Sequence, residues 1–366
     1  MDYFIAGAGS DARLETLLAG LDRVLKEHGH GRCESADEAS LILNPFPWQR
    51  PRPARRQRSA VFVVGLTTFD AEFAAELVQA EDTAGAIYPK LVSSLSNLLI
   101  ALSPEGAAAA AHLVTPEKGH VRHPAPQLDD AFFQEVYRRM EPIVTSTLVI
   151  HNIFAEDLEP ALWQGDAGTT GIARAGRYLD ELKLMPAPFP IENLLSPRGL
   201  RHLKKMYGIG GLSYGNFSAR LDSDRFWMSA SGVDKSKLEI IGRDILLVSG
   251  YVPEENAMRI SVPQGVEPRR ASVDAIEHWL IYQENPGVQA ILHVHAWMDG
   301  VVSTELTYPC GTYEMGRAVA DLVRTAPDPV HAVIGLRNHG LTITGTSMDE
   351  ILERVSGKLV RNVPMT

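Results

Sequence analysis

His293 and His295 stand one residue apart in the apolar run "ILHVHAW", Ile291 to Trp297. A strand sends residues i and i+2 to the same face, so the two imidazoles project together. A lone histidine on a strand is most simply a hydrogen-bonded core residue. Two in one apolar strand cost desolvation twice unless they share a task. A third, His339, ends another apolar run in "LRNHGLTITG". Three neutral imidazoles that converge and leave one position open form the donor set of a catalytic divalent metal site.

Other residue types nearby suit the same chemistry. The stretch "SVDAIEHWLIY" reads as a helix with Ser272 as its N-cap and Asp274 in its first turn. Asp274 either complements the helix dipole or faces the metal as a fourth ligand or a base. His278 lies four residues on, on the same helical face, and reads as a supporting or core residue rather than a ligand. The turns "YGNFS" and "SASG" let backbone N–H groups approach an anion closely. Asn216 and Ser231 add side-chain donors there, although ordinary turn chemistry accounts for such residues equally well. Asn338, beside His339, either caps a turn or positions a substrate.

The elements that must hold these residues follow from hydrophobic patterning. In the first half, "YFIAGAG", "SLILN", "AVFVVGL", "NLLIALS" and "STLVIHN" read as strands, separated by helical patterns such as "DARLETLLAGLDRVLKEHG" and "DAFFQEVYRRM". Strands alternating with helices imply a doubly wound, Rossmann-like parallel α/β sheet. The proline-rich stretch "LMPAPFPIENLLSPRG" reads as a linker. Beyond it come a Gly- and Ser-rich loop, short strands and helices, a second α/β domain. The expected organisation is therefore 1–185 Rossmann-like, 186–199 linker and 200–366 metal-binding.

Composition bounds the function. The chain has 366 residues, 45% hydrophobic and 22% charged, which is ordinary for a soluble globular protein. A net charge of −10 disfavours nucleic acid as a partner. The basic run Arg50 to Ser59 is Pro-interrupted and reads as a solvated loop. The two cysteines, Cys33 and Cys310, cannot make a disulfide framework and fit a reducing cytoplasm. "MDYFIAGAGSD" lacks the features of a signal peptide, and the longest apolar region is too broken to span a membrane.

From about Ser196 to Arg354, just under half the chain, the sequence resembles the class II aldolase/adducin domain family. The segments that carry the resemblance are "GNFSAR", "MSASGVD", "SVDAIEHWLIYQENPGVQAILHVHAW", "CGTYEMG" and "LRNHGLTITG", in the family's order and at similar spacings. The resemblance implies zinc, or iron, manganese or cobalt in its place, held by His293, His295 and His339. It implies that the acidic residue at Asp274 is a displaceable ligand and base. It also implies an anion cradle of Gly215, Asn216, Ser231, Gly232 and Ser272, which takes the substrate's phosphate in family members. The reaction implied is lyase-type: aldol cleavage, decarboxylation or dehydration of a small hydroxy-carbonyl compound through an enediolate stabilised by the metal. By analogy the assembly is a homo-oligomer, commonly a tetramer with shared sites.

The sequence departs from the family's aldolases at several points. Asp274 stands where they have Glu, and Val273 replaces a second serine, which weakens the case for a phosphorylated substrate. Neither Tyr308 nor Tyr313 maps to their catalytic tyrosine. Alternatives are an adducin-like interaction module without a metal, or an iron-dependent or nicotinamide-dependent enzyme. For the last, Gly7, Gly9 and Ala12 give a G-x-G-x-x-A spacing, but Asn44 ends the second strand where the fingerprint wants an acidic residue. A simple strand-to-helix turn is the preferred reading of these glycines.

Overall fold

The computed structural model describes the chain apart from residues 55–60, 105, 107–108, 186–188, 190, 208–214 and 366, and apart from the side chains of 204–207. The chain divides into two compact units. One comprises Met1–Ser146, Ile191–Met206 and Met365–Thr366; the other comprises Thr147–Pro190 and Tyr207–Pro364.

The first unit carries β1 (Asp2–Ile5), α1 (Ala12–Glu27), β2 (Gly31–Arg32), β3 (Leu41–Pro45) and β4 (Phe62–Thr68). It continues with α2 (Ala71–Gln79), α3 (Thr83–Ser94), β5 (Leu98–Leu102), β6 (Ala110–Val114), β7 (His120–Pro124) and α4 (Asp130–Val144). Strand order is β2-β1-β3-β4-β5-β6-β7. The first five strands are parallel, and β6 and β7 extend the sheet as an antiparallel hairpin. All residues of β3 and β5 are buried, as strands in a covered parallel sheet must be. In α1, Leu14, Leu17, Leu21, Val24 and Leu25 form the buried stripe, and the Asp11 carboxylate caps the helix by accepting from the Leu14 N–H. The loop that joins β3 to β4 contains the basic run Arg50 to Ser59, half of which lies outside the described residues.

In the hairpin, His112 Nδ1 lies 3.1 Å from His120 Nε2, with the two rings stacked. Burial, and then the neighbouring His120, lower the His112 pKa to about 4. A pKa held below its unfolded value of about 6.5 gives stability that is complete above pH 6.5 and lost as pH falls toward 4. We expect His112 to contribute no more than about 3 kcal/mol to this acid destabilisation. Urea titrations between pH 7 and pH 4 should show a shallower loss for His112→Phe than for wild type. Parallel curves would refute the assignment.

The second unit begins before the proline-rich stretch. It carries β8 (His151–Ala155) and α5 (Ala167–Glu181). The helices α6 (Ile191–Leu194) and α7 (Pro197–Tyr207) follow, and all but the last residue of these two belongs with the first unit. The second unit then resumes with β9 (Asn216–Arg220), β10 (Phe226–Ser229), β11 (Ile245–Val252) and β12 (Ala257–Ser261). It closes with α8 (Ala275–Glu284), β13 (Ala290–Val294), β14 (Val302–Ser303), α9 (Tyr313–Thr325), β15 (Val333–Leu336), β16 (Gly340–Gly345) and α10 (Met348–Val355). Its sheet order is β14-β15-β16-β13-β9-β10-β11-β12-β8.

"STLVIHN", expected as a strand of the first domain, thus belongs elsewhere. Leu148 bridges Thr312, and β8 runs parallel to β12 at the edge of the second sheet. An isolated apolar run shows that it is a strand, not which sheet takes it. Along β9, side chains alternate between two helix layers. Phe217 and Ala219 face α5, whose Gly168 and Gly176 approach them closely. Ser218 faces α8, where it meets His278. Trp227 of β10 is fully buried on the α5 side, and its indole Nε1–H donates to Asp166, the N-cap of α5, at 2.8 Å.

Candidate metal centre

The centre is built at one end of β13. This strand is antiparallel to both neighbours, with His293 opposite Asn216 on β9 and opposite Thr342 on β16. His295 lies just beyond the strand, two residues on, and keeps the same side. His339 arrives from the hairpin between β15 and β16. Leu336 pairs with Gly340, leaving a loop of Arg337, Asn338 and His339. Asn338 takes the left-handed conformation, φ +61°, that such a short loop needs.

Two glycines let the backbones close in. A Cβ on Gly340 would run into the Val294 carbonyl oxygen. Gly215 sits at φ +78°, and a Cβ there would lie 2.5 Å from the His293 carbonyl oxygen.

The three rings meet edge to face. His339 Nε2 lies 3.1 Å from His293 Nε2 and 3.1 Å from His295 Nε2. The three rings stand at 73–78° to one another. Burial lowers the pKa of His293 and of His339 to about 4, and that of His295 falls well below its usual value for the same reason. All three are therefore neutral at pH 7, each with one ring proton. The outward nitrogens have partners: His293 Nδ1 is 3.4 Å from Thr342 Oγ1, and His339 Nδ1 is 3.2 Å from Cys310 Sγ. The protons of those two rings belong on Nδ1. The inward Nε2 atoms of His293 and His339 then oppose lone pair to lone pair, an arrangement that a hydrogen bond between them cannot satisfy. A cation at their centre would satisfy all three. This donor set, which His293, His295 and His339 could supply together, fits a divalent metal of the zinc type.

A carboxylate completes the constellation. Asp274 is 5% exposed, and its Oδ2 lies 4.0 Å from His293 Nε2. Helix α8 begins only at Ala275, later than a Ser272 cap would place it. Asp274 occupies the N-cap position but its side chain caps nothing. Instead Oδ2 accepts from Asn216 Nδ2 at 2.7 Å, and Ser272 also bonds to the carboxylate. Oδ1 is buried with no partner among the described residues. Burial raises the Asp274 pKa, and His339, Asn216 and Lys235 pull against that rise.

The remaining expected residues gather at the same end of the sheet. Phe217 N–H donates to Ser229 Oγ, which brings the end of β10 beside the start of β9. An antiparallel Ala230–Ala271 bridge puts Ser272 on the Ser229 side, whereas the Ser231 N–H donates to the Arg270 carbonyl and Arg269 donates to the Gly232 carbonyl. Asn216, expected to offer its amide to an anion, gives that N–H to Asp274. Asn338 donates to Thr307 Oγ1 at 2.9 Å, which accords with its role as a turn residue. His278 is fully buried, with Nδ1 2.7 Å from Ser218 Oγ. Tyr313 opens α9, and its ring stacks on that of Tyr251.

Three residues of the centre escaped the sequence reading. Glu277 is fully buried; its Oε1 accepts from Thr342 Oγ1, and Thr342 in turn faces His293. Burial raises the Glu277 pKa to about 8, and the Asp274 carboxylate adds to the rise. Its signal was a carboxylate at i+3 from Asp274 on an otherwise apolar helix. Thr342 gave no signal, since a threonine in a strand is ordinary. Lys235 lies in a turn of mixed charge, "DKSK", which reads as solvated, yet it is 4% exposed.

Residues 200–328 match the family model described as Class II Aldolase and Adducin N-terminal domain. The match covers about a third of the chain. Among solved structures, l-fuculose-1-phosphate aldolase from Thermus thermophilus is similar, at 20% identity over 50% of this chain and 85% of its own, with a TM-score of 0.32. YgbL from Klebsiella pneumoniae is 16% identical over 51% of this chain and 83% of its own, with a TM-score of 0.34. The N-terminal class II aldolase domain of a conserved protein from Thermoplasma acidophilum is 14% identical over 55% and 93%, also with a TM-score of 0.34. No curated protein matches the chain significantly. Among the described residues, no helix is long and apolar enough to cross a membrane.

Proposed function

We propose that the chain is a divalent-metal-dependent lyase acting on a small hydroxy-carbonyl compound, with His293, His295 and His339 as the metal ligands. The observation that carries this reading is the cluster of three inward Nε2 atoms, with a buried carboxylate 4.0 Å from one of them. A bound cation of this kind supplies Lewis-acid stabilisation of negative charge that develops on a substrate oxygen. Asp274 holds and moves the proton, at Oδ1, while Asn216 and Ser272 fix the carboxylate through hydrogen bonds. Burial raises its pKa, which favours the proton-carrying form. Burial keeps the site free of bulk water, which strengthens each of these interactions.

Metal analysis of protein expressed with supplemented zinc, iron, manganese or cobalt tests the reading. About one equivalent per chain is expected for a three-histidine site. Less than about a tenth of an equivalent would favour a module without catalysis.

Thr342 and Glu277 orient His293 from outside the ligand ring. Thr342→Val should therefore weaken metal binding by roughly ten- to a hundredfold, the usual cost of losing an outer hydrogen-bond partner. The dissociation constant is read by competition with a chromophoric chelator. An unchanged constant would remove the Glu277–Thr342–His293 chain from the account.

A further inference from the structure

The first unit holds a cavity of its own. In its sheet β2 lies on one side of β1, while β3, β4 and β5 lie on the other. The chain therefore leaves β1 toward one edge and β3 toward the opposite edge. Open α/β sheets of this order take ligands at that reversal, outside the carboxyl ends of the strands. A cavity of about 410 Å³ lies there, a size within the small-molecule range. Residues at or just after the ends of β1, β3, β4 and β5 line it. Pro47, Trp48, Phe69 and Pro104 give it apolar walls, and Asp11, Thr68, Gln49 and Asp70 bring polar groups.

A nucleotide would place its phosphate on the N–H groups of the turn after β1 and of the helix that follows. Here the chain's own carboxylates take them. The Gly9 N–H donates to Glu15 Oε1 at 2.6 Å, and the Leu14 N–H donates to Asp11 Oδ1 at 2.9 Å. At the start of α2 the Phe73 N–H donates to Asp70 Oδ1 at 2.8 Å. A phosphate would meet engaged donors and charges of its own sign. Other donors around the cavity are also turned to the protein. Thr68 and Ser10 donate to Asp11 Oδ2, and Gln49 Nε2 donates to Asp70 Oδ2 at 2.8 Å. Arg13 Nη2 donates to the Ala125 carbonyl oxygen at 3.0 Å. The two helix caps thus present ionised carboxylates, which only accept, beside apolar walls. Hydroxyl groups on a compact ring complement that arrangement.

We infer that this cavity binds an uncharged compound with a vicinal diol, a nucleoside or a free sugar, and that Asp11 and Asp70 make it reject the phosphorylated forms.

The test measures binding of adenosine, 2′,3′-dideoxyadenosine, ribose and AMP to the full chain by ligand-observed NMR. Binding at this cavity is the part lost in Ala71→Trp, which fills it from an exposed lining position. Adenosine should bind more tightly than AMP, and more tightly than the dideoxy compound, by roughly tenfold or more in each case. Asp11→Asn with Asp70→Asn keeps helix-capping side chains, and it should remove the discrimination against AMP. Ribose binding as tightly as adenosine would identify a sugar, and weaker ribose binding a nucleoside; both support the inference. Four results would overturn it: AMP binding as tightly as adenosine, no loss on removing the diol, binding unchanged in Ala71→Trp, or no binding of adenosine or ribose at millimolar concentration. The comparison of wild type with Ala71→Trp decides the matter even if the double variant fails to fold.

Discussion

Alanine at His339 should abolish metal retention, with a dissociation constant that rises by more than the hundredfold typical of losing an outer partner. His339 is the hub of the cluster. Its Nε2 lies within 3.1 Å of both other Nε2 atoms. Without it, two imidazoles remain, too few for a tetrahedral site with one open position. The substitution leaves the hairpin intact, because its turn depends on Asn338 and Gly340 rather than on the imidazole. Metal content after dialysis is the measurement. His331→Ala, at an exposed residue paired with Asp328, serves as the control. A His339→Ala protein that still holds one equivalent at wild-type affinity would sink the proposed function.

Alanine at Trp227 should destabilise the second unit by about 3–5 kcal/mol. Trp227 heads the fully buried side chains by size, so its removal leaves a cavity as well as losing burial. Its indole also anchors Asp166. That carboxylate caps α5 through the Thr169 N–H in a capping box. Trp227→Phe separates the two contributions: it keeps most of the volume and loses the hydrogen bond, for an expected cost of about 1–2 kcal/mol. Urea denaturation monitored on the second unit's transition reads both variants. Equal losses for the two would mean that packing contributes little there.

The half that carries the histidine cluster was more legible in the sequence than its surroundings, for physical reasons. His293 and His295 share a strand with period two, so their common direction follows from geometry. His339 was legible because an apolar run that ends on His-Gly has few other uses. Asp274 was legible as a carboxylate in a helix's first turn. What the sequence withheld is what long-range packing decides. Neither the hydrogen bond from Thr342 to Glu277 nor the burial of Lys235 has a local signature, because each depends on strands far apart in sequence. The turns expected to form an anion cradle were legible as turns, but not the diversion of the Asn216 amide to Asp274. In the first unit, the parallel run β1, β3, β4 and β5 was read from its continuous apolar stretches. The assignment of "STLVIHN" went astray because strand pairing partners are not written in periodicity.

That last strand has a consequence for how the protein can be divided. Sequence similarity marks a module that starts at residue 200, yet β8 and α5 lie upstream of it and build the same sheet and layer. A gene cut at the similarity border would yield a piece with β12 as a raw edge and the indole of Trp227 bare to water. Exposed edges of that kind recruit other chains. Such a truncation should therefore precipitate, while one that begins near residue 147 should stay in solution, so the unit of inheritance and the unit of folding differ here by about fifty residues of upstream chain.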